Sequence, residues 1–296
     1  MGFFMGHDHH HHHGTSNNLK LAFFLNAAFT VFEIIGGFYV NSVAIISDAV
    51  HDLGDTLSLG TSWYLQNKSR KGRNYKFSFG YKRFSLLGAL INSLVLLAGS
   101  VYVISEAISR LVEPEYSDAG GMLIFALVGV AVNGFAAWKL SKGTSINEKV
   151  VSWHLIEDVL GWVAVLIVAI VLHFYSTPYL DPALSLLITL YILYNVFKRL
   201  NETLFIFLQG VPKEINLEEI EQKLKAIPEI TSLHHTHLWS LEGTDHVFTT
   251  HIKLKNITHF QQLLDVKRSV KNVLQEYRFD HYTIETELDE ESCDLL

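Results

Sequence analysis

Six long apolar stretches dominate this chain, at about 19–40, 42–65, 84–111, 121–140, 150–173 and 181–208. Each is long enough to cross a hydrocarbon layer of about 30 Å as a helix. Inside such a layer every backbone N–H and C=O must find a partner within the segment, which an α-helix provides. The stretches therefore predict an all-α six-helix transmembrane bundle. The first connection, Tyr39 to Ser42, is short enough to fold spans one and two into a tight hairpin. Only 18% of the 296 residues are charged, below the quarter usual in a soluble domain. Those charges crowd into the connections and the last third.

Basic residues orient the spans. Lys68, Arg70, Lys71, Arg73, Lys76, Lys82 and Arg83 follow span two, and Lys139, Lys142 and Lys149 follow span four. The connections after spans one and five carry neither Lys nor Arg, and the one after span three is mainly acidic, with Glu113, Glu115 and Asp118. The positive-inside rule then places both termini in the cytoplasm. No cleavable signal peptide is read at the start, which opens on a histidine run, so the first span is expected to act as the insertion signal. A net charge of -7 argues against a nucleic-acid partner, and a single cysteine, Cys293, excludes an intrachain disulfide.

From about residue 211 the composition turns soluble. Ile215, Leu217, Ile220, Leu224 and Ile227 recur at near-helical spacing until Pro228. Strands are expected at 230–241 and 246–254, a helix at 258–278 and a strand at 281–288. The order α-β-β-α-β describes a small cytoplasmic α+β domain of about 85 residues, a size at which dimerisation assists stability. The chain thus divides into a His-rich disordered N-terminus (1–18), a six-span transmembrane domain (19–210) and a cytoplasmic metal-binding and dimerisation domain (211–296). The run His7-Asp8-His9 to His13 is suited to capturing metal, and equally to being a purification tag.

Ionisable groups inside membrane helices cost about 2.5–3.5 kcal/mol or more each at the bilayer centre. Span two nevertheless holds Asp48, His51, Asp52 and Asp55, and span five holds His154, Glu157 and Asp158. Each span contains a His-x-x-x-Asp pair, His51/Asp55 and His154/Asp158, and residues four apart share a helix face. Two such faces would present two imidazoles and two carboxylates, a donor set that suits tetrahedral zinc. Two aspartates also balance a divalent charge, and protons would replace the ion when it leaves. Spacing alone does not choose between His51/Asp55 and Asp48/Asp52 in span two. Asp48, Asp52 and Glu157 are expected to support the ligands or to lie near a helix end. Glu33, Asn26, Asn92, Glu106 and Asn133 read as packing hydrogen bonds or mouth residues.

The chain resembles the cation diffusion facilitator family, in its zinc-transporting branch. The resemblance rests on Ser47-Asp48-Ala49-Val50-His51-Asp52-Leu53-Gly54-Asp55, on Phe79-Gly80-Tyr81-Lys82-Arg83-Phe84 with Leu87-Gly88-Ala89-Leu90-Ile91-Asn92, on His154-Leu155-Ile156-Glu157-Asp158, and on Leu180-Asp181-Pro182-Ala183-Leu184-Ser185. It covers about residues 17–288. It implies a homodimeric secondary transporter that exports zinc from the cytoplasm in exchange for protons, with His51, Asp55, His154 and Asp158 as the transport site. Family members with aspartate in place of His51 look broader in metal choice, so His51 leans this chain towards zinc. Some members carry a further site after span two, but Asn74-Tyr75-Lys76-Phe77-Ser78-Phe79-Gly80-Tyr81 offers no such ligands. The compact loops look bacterial and place the protein in the cell membrane; a eukaryotic version would sit in an organelle membrane.

The tail carries His234, His235, His237, His246, His251, His259 and His281. A three-residue hairpin loop, Gly243-Thr244-Asp245, would set His237 opposite His251, with Cβ atoms about 5 Å apart. Glu287 at the end of the last strand is the expected third ligand and Cys293 a possible extra one. The resemblance points to the same positions, since the family's tail domain often binds zinc near its dimer interface. Two other classes compete with a transporter. An intramembrane zinc-dependent hydrolase needs an open coordination position and a general base, and no His-Glu-x-x-His occurs. A membrane metal sensor has no need of the paired intramembrane motifs.

Overall fold

The computed structural model describes residues 12–69, 72–141, 146–288, 291 and 293. It divides into two compact units, residues 1–70 with 88–200, and residues 71–87 with 201–296. Six long helices come first: α1 (His12–Tyr39), α2 (Val43–Ser69), α3 (Phe84–Val112), α4 (Ala119–Ser141), α5 (Ile146–Phe174) and α6 (Leu180–Phe207). Helix α1 begins at His12, inside the stretch expected to be disordered; the run up to residue 11 lies outside the described residues.

Among the described residues, four segments are long and apolar enough to cross a membrane: Phe84–Val112, Ala119–Lys139, Leu155–Phe174 and Leu180–Phe207. Phe23–Tyr39 of α1 is apolar but shorter. Six helices stand where six spans are expected, and among the described residues four of them are long and apolar enough to cross a membrane. Large apolar side chains point outward, such as Leu25, Leu160 and Leu187, each more than 60% exposed. A helix that is apolar on its outer face as well as its inner one suits a lipid surround. Inside the unit the helices approach closely: a Cβ added at Gly129 would lie 2.1 Å from the Trp162 ring, and Trp162 is fully buried.

The second unit contains α7 (Leu217–Lys225), β1 (Ile230–Ser240), β2 (His246–Leu254), α8 (Phe260–Gln275) and β3 (Phe279–Glu287), in the α-β-β-α-β order read from the sequence. Helix α7 starts at Leu217 because the Asn216 side chain accepts hydrogen bonds from the Glu218 and Glu219 amides at 3.1 and 3.3 Å. The sheet order is β1-β2-β3, with β1/β2 antiparallel and β2/β3 parallel. Ile220 and Leu224 of α7 and Val266, Val270 and Leu274 of α8 pack on Phe248, Ile252 and Leu254 of β2. Side chains alternate along a strand, so His251 belongs to the sheet face turned away from the helices.

Candidate metal centres

Helix α2 is held from several sides, and this fixes where its ionisable face points. Asp181, at the start of α6 and 1% exposed, closes the N-terminus of α2. Its carboxylate accepts from the Val43 amide at 2.8 Å, the Ala44 amide at 3.3 Å and the Ser42 hydroxyl at 2.6 Å. A helix N-terminus presents unpaired N–H groups and a positive dipole end, so a buried anion is stabilised there. Ser47 and Thr189 share a 2.8 Å hydroxyl pair that ties α2 to α6. The Asn26 amide of α1 donates to the Asp52 carbonyl and the Thr56 hydroxyl, and the Asn92 amide of α3 donates to the Ser58 hydroxyl at 2.7 Å. Asn26 and Asn92 thus fill the packing roles expected of them, while Glu106 pairs with Arg110 at 2.8 Å.

On this braced helix His51 stands between two carboxylates. Its Nε2 lies 3.6 Å from Asp55 Oδ2, one turn along α2, and 3.8 Å from Asp158 Oδ1 on α5. Both separations are too long for a good hydrogen bond. They are near the roughly 3.3–3.6 Å between donors around a tetrahedral ion with bonds of about 2.0–2.2 Å. Asp158 is buried, whereas His51 and Asp55 are partly open. His154 sits one turn before Asp158 on α5, and its side chain lies outside the described ones. Of the alternatives in span two, Asp48 and Asp52 are each 5% exposed and lie with the fully buried Glu33 of α1, so Glu33 is not a mouth residue. Asp48 comes close to α5 at Gly161, where an added Cβ would be 3.3 Å from its Oδ1. Glu157 is exposed.

The tail gathers a different set from the one expected. Ser240 pairs with His246, so five residues rather than three close the hairpin, and His237 lies opposite Thr249. Past that pair a bulge interrupts β1 between His234 and His237, with His235 at φ +48°. The longer loop moves the partner of His251 by two residues and the bulge by one more, so His234, not His237, faces His251. His234 Nε2 and His251 Nδ1 lie 2.9 and 3.0 Å from the same oxygen, Glu287 Oε1. Cys293 Sγ is 3.8 Å from His251 Nδ1. One donor atom from each of His234, His251, Glu287 and Cys293 falls within 4.8 Å of all the others. Hydrogen bonding from His251 holds the Glu287 carboxyl below its usual range against the opposing effect of burial, with His234 adding to it. His281 instead pairs with Thr283 and packs against Phe79.

Buried carboxylates between helices and a compact tail sheet bearing an imidazole cluster define a membrane protein built to handle cations. The family model for the Cation efflux transmembrane domain matches residues 19–208, and that for the Cation efflux protein, cytoplasmic domain, matches 212–288. The chain belongs to this cation efflux family, the cation diffusion facilitators. It is 33% identical over 287 residues to the "Metal cation efflux system protein CzcD" of Cupriavidus metallidurans, covering 96% of this chain and 90% of that protein. It is 31% identical over 295 residues to the "Zinc transporter ZitB" of Pectobacterium atrosepticum (98% and 91% covered). It is 30% identical over 288 residues to the "Cadmium, cobalt and zinc/H(+)-K(+) antiporter" of Bacillus velezensis (96% and 92% covered).

Proposed function

We propose that this chain is a six-span homodimeric exchanger that moves zinc out of the cytoplasm against protons, with both termini cytoplasmic. The observation that carries the reading is His51 poised between Asp55 and Asp158 on two different helices. His154, four residues before Asp158 in the sequence, is the proposed second imidazole of a set of two imidazoles and two carboxylates, in which the carboxylates balance the ion's charge inside the bundle. When the ion departs, protons restore that balance, so one site couples the two movements. Helix α2 misses the composition of an ordinary span because it carries Asp48, Asp52 and Asp55. Its shortfall is the cost of the site itself, which supports counting it as a span. The relatives' names supply zinc, efflux and proton exchange. The chemistry of the residues is compatible with each. The cytoplasmic domain match supports a dimer.

In the tail, His234, His251 and Glu287 form a second, regulatory zinc site. Its occupancy biases the transporter towards a transport-ready state by the difference in zinc affinity between states. His237 is not one of its ligands.

The test is uptake of zinc, cadmium, cobalt and manganese into proteoliposomes under an imposed pH gradient. Zinc should be taken up, and His51→Asp should weaken its discrimination from cadmium and manganese, because a harder oxygen replaces an imidazole. A variant with the parent's selectivity would remove His51 from the ligand set.

A further inference from the structure

Cys293 lies past the last strand, in a chain that has no other cysteine. The Leu288 amide donates to Glu291 Oε2 at 2.7 Å, the Glu291 amide returns a bond to the Leu288 carbonyl at 2.9 Å, and the Lys253 ammonium donates to the Glu291 carbonyl at 3.4 Å. Lys253 is two residues beyond His251 on β2 and pairs in register with Glu287. Glu291 is therefore tied to the strand that carries the imidazole, and Cys293 Sγ lies 3.8 Å from His251 Nδ1.

We propose that Cys293 supplies a thiolate as the fourth ligand of the tail site, making it a closed centre of two imidazoles, one carboxylate and one thiolate for thiophilic divalent ions, zinc and cadmium. This rests on the reading of His234, His251 and Glu287 as a metal site. Around a tetrahedral ion with bonds of about 2.0–2.3 Å, donors sit about 3.3–3.8 Å apart. The four donor atoms already fall within 4.8 Å of one another, so small side-chain adjustments bring them onto one centre. Binding converts Cys–SH and the aquated ion into a Cys–S–metal bond and releases one proton to solvent. The thiolate and the Glu287 carboxylate together cancel the two positive charges, the same balance that two aspartates give at the membrane site. A thiolate also sets the class of ion. Magnesium and manganese prefer an all-oxygen shell and gain little from sulfur and imidazole, whereas zinc and cadmium gain from both. The four ligands leave no position open, so the centre holds its ion rather than passing it on. Occupancy fastens residue 293 to β1, β2 and β3 together.

The single cysteine makes the test unambiguous, because any metal–thiolate absorption from this protein must arise at Cys293. Full-length protein in detergent is titrated with cadmium and the ultraviolet sulfur-to-cadmium charge-transfer band is recorded. The band should grow to saturation at one thiolate per protomer, survive in Asp158→Ala and vanish in Cys293→Ser. Zinc should slow alkylation of Cys293 by at least about tenfold, and magnesium should not. His251→Ala and Glu287→Gln should each lose the protection. A calorimetric zinc heat in Asp158→Ala that His251→Ala removes, with no thiolate band and no protection, would overturn the fourth ligand and leave the three-residue site standing. No zinc heat that depends on His251 and no band in Asp158→Ala would sink the tail site as well, without touching the transport reading. A band retained in Cys293→Ser would show that it is not a thiolate signal and would overturn the proposal.

Discussion

The proposed membrane centre and the proposed tail centre use the same chemistry, imidazoles with acidic groups, on two different backbones. On α2 and α5 the ligands are set by helical repeat: His51 and Asp55 must share a face because they are four residues apart. In the tail they are set by strand pairing, which depends on the length of the β1–β2 loop and on the bulge at His235. A change of one residue in such a pairing exchanges every partner. The helix faces that carry the proposed membrane ligands are therefore legible from spacing, whereas the tail cluster is legible in composition but not in register. Glycine in Glu242-Gly243-Thr244-Asp245 announces a hairpin without fixing which residues close it. Gly243 takes φ +112°, yet Leu241 and Ser240 also join the turn: the Leu241 amide donates to the Asp245 carbonyl, and the Gly243 amide donates to the Ser240 hydroxyl.

The largest expected effect separates neighbours on α5. Asp158→Ala should lower zinc flux at least about a hundredfold, since loss of a direct ligand should cost more than the 10–100-fold typical of outer partners. Glu157→Ala, one residue away but exposed, should stay within about twofold. Proteoliposome uptake reads both, and equal losses would mean that helical position does not decide who binds.

Next in size is the tail pairing. In an Asp158→Ala background, which silences the membrane centre, His234→Ala should weaken zinc binding by about 10–100-fold while His237→Ala leaves it unchanged. Calorimetry on the full chain distinguishes them, and the reverse order would restore the simpler three-residue hairpin.

Asp181 shows what spacing did not reveal. Its segment, Leu180-Asp181-Pro182, is visible in the sequence, but its role as the cap of α2 depends on how α6 packs on α2. Asp181→Ala should cost about 1–2 kcal/mol of stability, the range for a lost cap. Zinc flux should also fall, because the ligand-bearing helix loses its anchor. A thermal midpoint equal to the parent's would contradict that role. Pattern alone leaves Glu33 between a packing role and a mouth residue, and only its burial against α2 decides for packing.

Smaller effects lie in the tail backbone and its acid. Since Glu287 titrates below its usual range when folded, its contribution to stability is present above that range and lost as pH falls through the folded value. Glu287→Gln should therefore destabilise the metal-free protein at neutral pH, and progressively less as pH falls below the usual carboxylate range. Destabilisation that does not change with pH would show that its charge is not involved. His235 sits in the left-handed region, where glycine is at ease, so His235→Gly should raise stability by up to about 1 kcal/mol and His235→Val should lower it. Unfolding midpoints that ranked the other way would argue against the bulge.

The central claim is that one intramembrane site carries both zinc and protons. Its most direct test records both at once, with a zinc indicator and a pH indicator enclosed in the same proteoliposomes. The parent should show zinc entering as protons leave, at a fixed ratio, and Asp158→Ala should lose both movements together. Zinc entry that persists in Asp158→Ala, or that proceeds in the parent without proton movement, would contradict the account.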